Sequence, residues 1–353
     1  MMTIREILVE PQAIAWLPWA VSYFFFIGLA FSFVFVGLLT SRIEKNLRHE
    51  FIAVSLGFIC AIVAPVALTA DLHQPSRIAN FYLNPTAWSW MAWGALFLPL
   101  FTMAVGGYFF CLLRQIIEPQ RLPKWLQICY WGRLNMHRWT NVFRLLSLLF
   151  SGLILLYTTM EVFAVEARSL WHHSWLMPLI LFSVLPTALY VCRVCVQWFG
   201  TRQVGAWYQR LSLVSLVAFI GGLMGLYLSS PQVAKQLHQL WHFSDLPLLL
   251  CFCVISLILL VMLPINRLFA TLTVIIALLF TWLFRWVLLI QVQSLAKYNA
   301  LMNPYHLTWQ IDGAIGILSV FSLWIFISVI FWHLFSQGLV SQQSQRRIGG
   351  NYE

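Results

Sequence analysis

The chain has 353 residues, of which 61% are hydrophobic and only 9% charged, and its formal net charge is +10. With 18 Trp and 28 Phe among so few charges, a soluble domain is excluded, because the polar residues needed to cover its surface are missing. Apolar stretches of about 20 residues recur instead, the length a helix needs to cross a bilayer.

In chain order the spans fall at about 19–39, 51–70, 88–112, 142–163, 175–199, 211–230, 247–265, 268–290 and 311–335. Backbone groups in hydrocarbon must find partners inside their own segment, which helices provide. The short alternating segments of a β-barrel are absent from the pattern. The expected fold is therefore an all-α polytopic membrane protein, a bundle of about nine transmembrane helices forming a single integral domain over 1–353. The first span is too long for a signal peptide, lacks a basic leader and has no convincing small-residue cleavage site, so it reads as a retained helix. The longest connector, 113–141, is basic and aromatic, with Pro119 and Pro123 as breakers. It predicts an amphipathic piece on the inner surface, held by Trp125, Trp131 and Trp139. The opposite connectors are 71–87, 164–174, 231–246 and 291–310.

Orientation follows from Lys and Arg near the spans. One side holds Arg42, Lys45, Arg48, Arg114, Arg121, Lys124, Arg133, Arg138, Arg202, Arg210, Arg267, Arg346 and Arg347; the other holds Arg5, Arg77, Arg168, Lys235 and Lys297. Thirteen against five places the C-terminus in the cytoplasm and the N-terminus outside. Topology thereby accounts for the positive charge, and a nucleic-acid partner has no basic domain to use.

Ionisable groups within spans are costly in lipid and usually face the bundle interior. Asp71 closes the second span, Glu161 lies in the last turn of the fourth with Tyr157 one turn earlier, Arg285 lies in the outer half of the eighth, and Asp312 opens the ninth. All four charges lie at the outer level. Two readings compete: a site built from them, or a structural Glu161–Arg285 ion pair with Asp71 and Asp312 as interfacial charges. Arg144 and Arg193 lie near inner helix ends, where they can snorkel.

Redox centres of the chain's own are not expected. Its nine His (His49, His73, His137, His172, His173, His238, His242, His306 and His333) lie in connectors or at span ends, whereas a haem needs ligands projecting into the bundle. Cys192 and Cys195 have CxxC spacing but no second pair, so they read as small buried residues. No nucleotide motif follows a strand, and no metal site is expected.

The stretch "ADLHQPSRIANFYLNPTAWSWMAWG" after the second span resembles the Asp-Leu, Pro, Arg, Asn-Pro and Ser-Trp-Gly pattern of the polysulfide-reductase membrane subunits, the NrfD family. "LYTTMEVFAVEARSLW", residues 156–171, is similar to that family's Tyr-Thr-Gly … Ala-Arg-Pro-Leu-Trp stretch, with Thr159 for the usual Gly and Ser169 for the usual Pro. "WLPWAVSYFFFIGLA" and "FRWVLLIQVQSLAKYNALMNPY" resemble, more narrowly, the membrane subunits of tetrathionate reductases.

The resemblance implies a subunit of the bacterial inner membrane that takes electrons from quinol. It passes them to an iron–sulfur, ferredoxin-like subunit, which feeds a molybdopterin catalytic subunit on the outer face. Menaquinol or ubiquinol would be the bound substrate. Quinol oxidation releases protons with electrons, so the site needs proton acceptors beside an apolar cleft. On this reading Glu161, His73 and Asp71 accept protons, Tyr23, Tyr157 and Arg285 line the quinol cleft, and Arg77 and Arg168 pair with carboxylates or hold the docked partner. A secondary transporter with buried charges and a purely structural anchor are the competing functions.

Overall fold

The computed structural model describes residues 13–72, 82–132, 135–199, 204–262, 267–296 and 302–349. Among these the secondary structure is entirely helical. The helices are α1 (Pro18–Ile43), α2 (Leu47–Asp71), α3 (Trp90–Ile116), α4 (Met136–Phe163), α5 (Leu176–Phe182), α6 (Leu185–Phe199), α7 (Trp207–Ser229), α8 (Pro231–Phe243), α9 (Leu246–Met262), α10 (Arg267–Trp286) and α11 (Ala314–Gly349). Eight spans are long and apolar enough to cross a membrane, with α5 and α6 together making one; a ninth results if α8 and α9 count as a single bent span. The end at which α1 begins is called the outer end, following the Lys/Arg distribution.

The spans outrun the expected boundaries at the charged ends, because a helix continues where hydropathy falls. α2 begins four residues before the expected 51 and takes in Arg48, His49 and Glu50. Local chemistry sets the ends. Pro18 occupies the first turn of α1, where its missing N–H costs nothing. α1 closes through Lys45, whose φ of 52° is left-handed and whose N–H reaches Thr40 O at 3.1 Å. Asn46 then caps α2 by accepting from Arg48 N at 3.0 Å.

α1 is the central element. It packs against α2, α4, α6, α10 and α11, and its side chains from Val21 to Val34 are almost all buried. Its approach to α2 is close: a Cβ at Gly57 would stand 3.2 Å from Ala30 O, the small-residue contact that lets membrane helices touch backbone to backbone. An aromatic seam of Phe25, Phe26, Trp282, Phe321 and Trp324 joins α1 to α10 and α11.

The span expected at 175–199 is broken into α5 and α6 at Ser183–Val184. Pro186 cannot donate to the carbonyl four residues back, so the helix breaks there, and Thr281 Oγ1 donates to the Ser183 carbonyl at 2.8 Å. Residues 231–246, expected as a connector, contain α8, which meets α9 at 87°. Ser230 caps α8 by accepting from Val233 N at 3.2 Å, and Val233 and Leu240 form its buried face.

The 113–141 connector has two short 3₁₀ turns, Pro119–Arg121 and Lys124–Tyr130. Within the protein it is fixed by buried Leu122 and Leu126 together with Tyr130, whose hydroxyl donates to Ile117 O at 2.5 Å, while Trp125, Trp131 and Trp139 are exposed, as side chains facing a membrane surface are. Burial pushes the Tyr130 phenol up to about 12.

Candidate functional site at the outer end

Tyr157 and Glu161 are one turn apart on α4, so they share a face. Tyr157 points towards α1 and meets Tyr23; both rings are buried, at 2% and 1% exposure. The hydroxyl of Tyr157 lies between Tyr23 and Glu161, within electrostatic reach of each. Asp71, the last residue of α2, is close enough to Glu161 for their charges to interact. Three helices thus bring two phenols and two carboxyls to one spot under the outer end.

Two atoms of this cluster stand out. Tyr23 Oη and Glu161 Oε2 are buried and have no hydrogen-bond partner. Buried polar atoms without partners are rare and costly, and a carboxylate oxygen more than a neutral one. The cluster is made possible by Gly94 at the start of α3: any Cβ there would overlap Cζ and Oη of Tyr157. The next residue, Ala95, lines an apolar cavity of about 520 Å³ walled by Tyr82, Trp93, Pro99 and Met103. That cavity and the Tyr157 ring therefore flank the first turns of the same helix.

The other candidate residues are placed differently. Arg285 is 1% exposed, but its guanidinium makes no ion pair with Glu161 or any other described carboxylate. It donates from Nη1 to Ser183 Oγ at 2.8 Å, from Nη2 to Ile180 O at 3.1 Å and from Nε to Phe24 O at 3.4 Å. Gly28 leaves it room, since a Cβ there would lie 3.1 Å from Nη2. Arg285 thus belongs to the α1–α5–α10 interface, and the structural ion pair considered above is not formed. The break at Ser183 explains why: a kinked helix offers a hydroxyl and a carbonyl where an intact one would not.

Arg168 pairs with backbone rather than carboxylate. Its Nη1 donates to Val292 O at 2.5 Å and its Nη2 to Gln293 O at 2.8 Å. These carbonyls close the span that begins as α10, where a cation is favoured by the helix dipole. Burial lowers the pKa of this guanidinium from its ordinary value. The helix end itself is irregular: residues 287–291 form a π turn, a feature concentrated at functional positions. Trp171 Nε1 donates to Leu288 O at 2.8 Å and stacks on Trp16 at 4.9 Å. Gln293 Oε1 accepts from Ala15 N and Trp16 N at 3.0 and 3.2 Å. His73 and Arg77 lie outside the described residues. Asp312 is exposed, two residues ahead of α11.

A second charged cluster, at the inner end, was not foreseen. Glu50 is 1% exposed and receives a bidentate pair from Arg144, Nε to Oε1 at 2.8 Å and Nη2 to Oε2 at 2.7 Å. Tyr108 Oη donates to the same Oε1 at 2.5 Å. Arg144 therefore does not snorkel, because a buried acid holds it. Arg193 likewise keeps Nη1 buried, without a hydrogen-bond partner. Nearby, Glu44 joins α1 to α2 and α7, through His49 Nδ1 at 2.5 Å and Trp207 Nε1 at 2.9 Å. The available signal was Glu50 itself, a lone acid beside an apolar run.

Among the described residues no three His, Cys, Asp or Glu stand together as metal ligands. Cys192 and Cys195 are free thiols.

Comparison with known proteins agrees with the motifs. The family model for polysulphide reductase NrfD matches residues 8–297. The chain is 35% identical over 345 residues to a tetrathionate reductase subunit from Salmonella typhimurium (strain LT2), covering 93% of this chain and 94% of that protein. The match takes in the bundle and the segments that carry Tyr23, Asp71, Tyr157 and Glu161, so this multi-pass membrane protein belongs to the polysulphide reductase NrfD family.

Proposed function

We propose that this chain is the membrane anchor and quinol-oxidising subunit of a respiratory oxidoreductase complex. It takes electrons from menaquinol or ubiquinol at the outer end and passes them to an iron–sulfur, ferredoxin-like subunit. That subunit supplies a molybdopterin catalytic subunit. The name of the Salmonella relative supports tetrathionate as the terminal acceptor. The Lys/Arg distribution supports a bacterial inner membrane location with the N-terminus in the periplasm and the C-terminus in the cytoplasm.

The observation that carries this reading is the unpartnered Glu161 Oε2 beside Tyr23 and Tyr157 in an otherwise apolar interior. Oxidation of one quinol yields one quinone, two protons and two electrons. A phenol and a carboxylate oxygen free of protein partners are the groups that can bond a quinol hydroxyl and take its proton. Glu161 accepts first. Asp71, coupled to it, carries the proton outward, with His73 as the next acceptor. The apolar cavity beside α3 offers room for the isoprenoid tail. Arg285 acts from behind α1 as a fixed positive charge and positions Phe24 and Ile180. Arg168, by holding the end of the α10 span, shapes the surface on which the iron–sulfur subunit docks, and Arg77 pairs with a carboxylate or with that partner. With no mid-span His, the chain needs neither haem nor metal of its own in this scheme: electrons pass straight to the partner's cluster.

The test uses membranes carrying the whole complex. Quinol-dependent reduction of the terminal acceptor is measured beside reduction by a soluble dye donor that bypasses this subunit. Glu161→Gln should lose the first and keep the second. Retention of full quinol activity would move the site elsewhere, and equal loss of both activities would mean failed assembly.

A further inference from the structure

At the inner end, a cleft between α1, α4 and the bent α5–α6 span is used by nothing described above. Its volume is about 990 Å³, at the upper end of ligand pockets. It is polar at one end only. Arg42, Lys45 and Asn141 stand at the lip, while Phe35, Leu38 and Leu148 form the floor. From Phe35 to Arg42, α1 rises about 10 Å, which keeps the floor within the ~15 Å of hydrocarbon that one leaflet provides.

Among the described residues no carboxylate pairs with Arg42 or Lys45 at the lip. Arg144, which also borders the cleft, is neutralised by Glu50. Arg42 and Lys45 have no hydrogen bond or ion pair from their side chains among the described residues. Asn141 accepts from Arg144 Nη1 at 2.9 Å through Oδ1, which leaves its amide N–H groups to donate. Arg42 alone is unremarkable, since a cation suits the last turn of a helix. Lys45 is different. It takes the left-handed position at φ 52°, where Gly or Asn is usual, and a site that accepts this conformation without the easier residue points to use of the side chain.

We propose that this cleft holds one anionic phospholipid. Its phosphate sits among Arg42, Lys45 and Asn141, and an acyl chain lies along Leu38 and Leu148. A neutral quinol has no use for two cations, and a free phosphate has no use for the apolar floor. Basic pockets between helices at the cytoplasmic face are the usual setting for anionic headgroups.

The experiment titrates the detergent-solubilised complex with dioleoylphosphatidylglycerol, dioleoylphosphatidylcholine or inorganic phosphate and follows the unfolding midpoint of this subunit. Phosphatidylglycerol should raise it by about 3 °C, and the other two should not. The exposed pair Arg42→Gln/Lys45→Gln should abolish the rise while leaving the basal midpoint and quinol-dependent activity unchanged. Leu148→Trp, which fills the floor, should abolish it with both charges in place. An equal rise with phosphatidylcholine would mean simple filling of an apolar groove. An equal rise with inorganic phosphate would mean a free-anion site. A rise that survives in the double variant would place the lipid elsewhere. Each of these three results overturns the proposal.

Discussion

Glu50 is buried within the bundle and Glu161, near the opposite end, is half-buried with its Oε2 enclosed, and their surroundings differ completely. Glu50 has both oxygens filled, by a bidentate Arg144 and the Tyr108 hydroxyl. Glu161 has an oxygen that nothing bonds, the Tyr157 phenol one turn back with Tyr23 beyond it, and a second acid within electrostatic range. A fully satisfied carboxylate ties helices together: Glu50 links α2, α3 and α4. An unsatisfied one is costly to fold and is kept where a ligand or proton is to be bound. The tyrosines repeat the lesson, since Tyr108 Oη has a partner and Tyr23 Oη has none.

The largest effect expected is at the inner cluster. Arg144→Leu strands the Glu50 charge and should cost roughly 3–5 kcal/mol, seen as loss of folded protein in the membrane. Adding Glu50→Gln should restore much of that yield, because a neutral amide tolerates the site. Restored folding with restored quinol activity would fix Glu50 as structural; restored folding without activity would erase the distinction between the two ends.

Next comes Glu161→Gln, with quinol-dependent activity down by about 10²–10⁴-fold, the range for a lost general base, and no drop in folded yield. A marked fall in yield would mean that Glu161 is structural after all.

The same substitution at the two tyrosines sharpens the comparison further. Tyr108→Phe breaks a hydrogen bond to a charged group and should cost about 1.5–3 kcal/mol. Tyr23→Phe removes an unpartnered hydroxyl and should leave the thermal midpoint unchanged or raise it, while lowering quinol turnover. Equal midpoint shifts in the two variants would break the contrast.

The smallest structural change is Gly94→Ala. Its methyl overlaps the Tyr157 ring, and overpacking of this kind costs about 1–3 kcal/mol. The loss should appear in the affinity for quinol more than in assembly. Unaltered quinol kinetics would separate the Tyr157 face from the substrate.

Much of this was readable from the chain. The hydropathy that a bilayer demands determines the number of spans, because each must carry about 20 apolar residues, and eight or nine were found where about nine were expected. The convergence of Asp71, Tyr157 and Glu161 followed from their common depth at the outer ends of α2 and α4, which run in the same direction. What the sequence alone could not decide is which face each helix turns to which neighbour, and partners are set by faces. Arg285 and Glu161 share a depth, yet the rotation of α10 and the proline break after α5 give Arg285 carbonyls and a hydroxyl instead of a carboxylate. Arg144 looked free to snorkel until α2 placed Glu50 against it from 94 residues away. Gly94 was one residue of a motif until the ring of Tyr157 occupied the space its missing side chain leaves. Depth is written in hydropathy, one residue at a time. Contact depends on helix rotation and on breaks in the helices, which only packing the whole bundle decides.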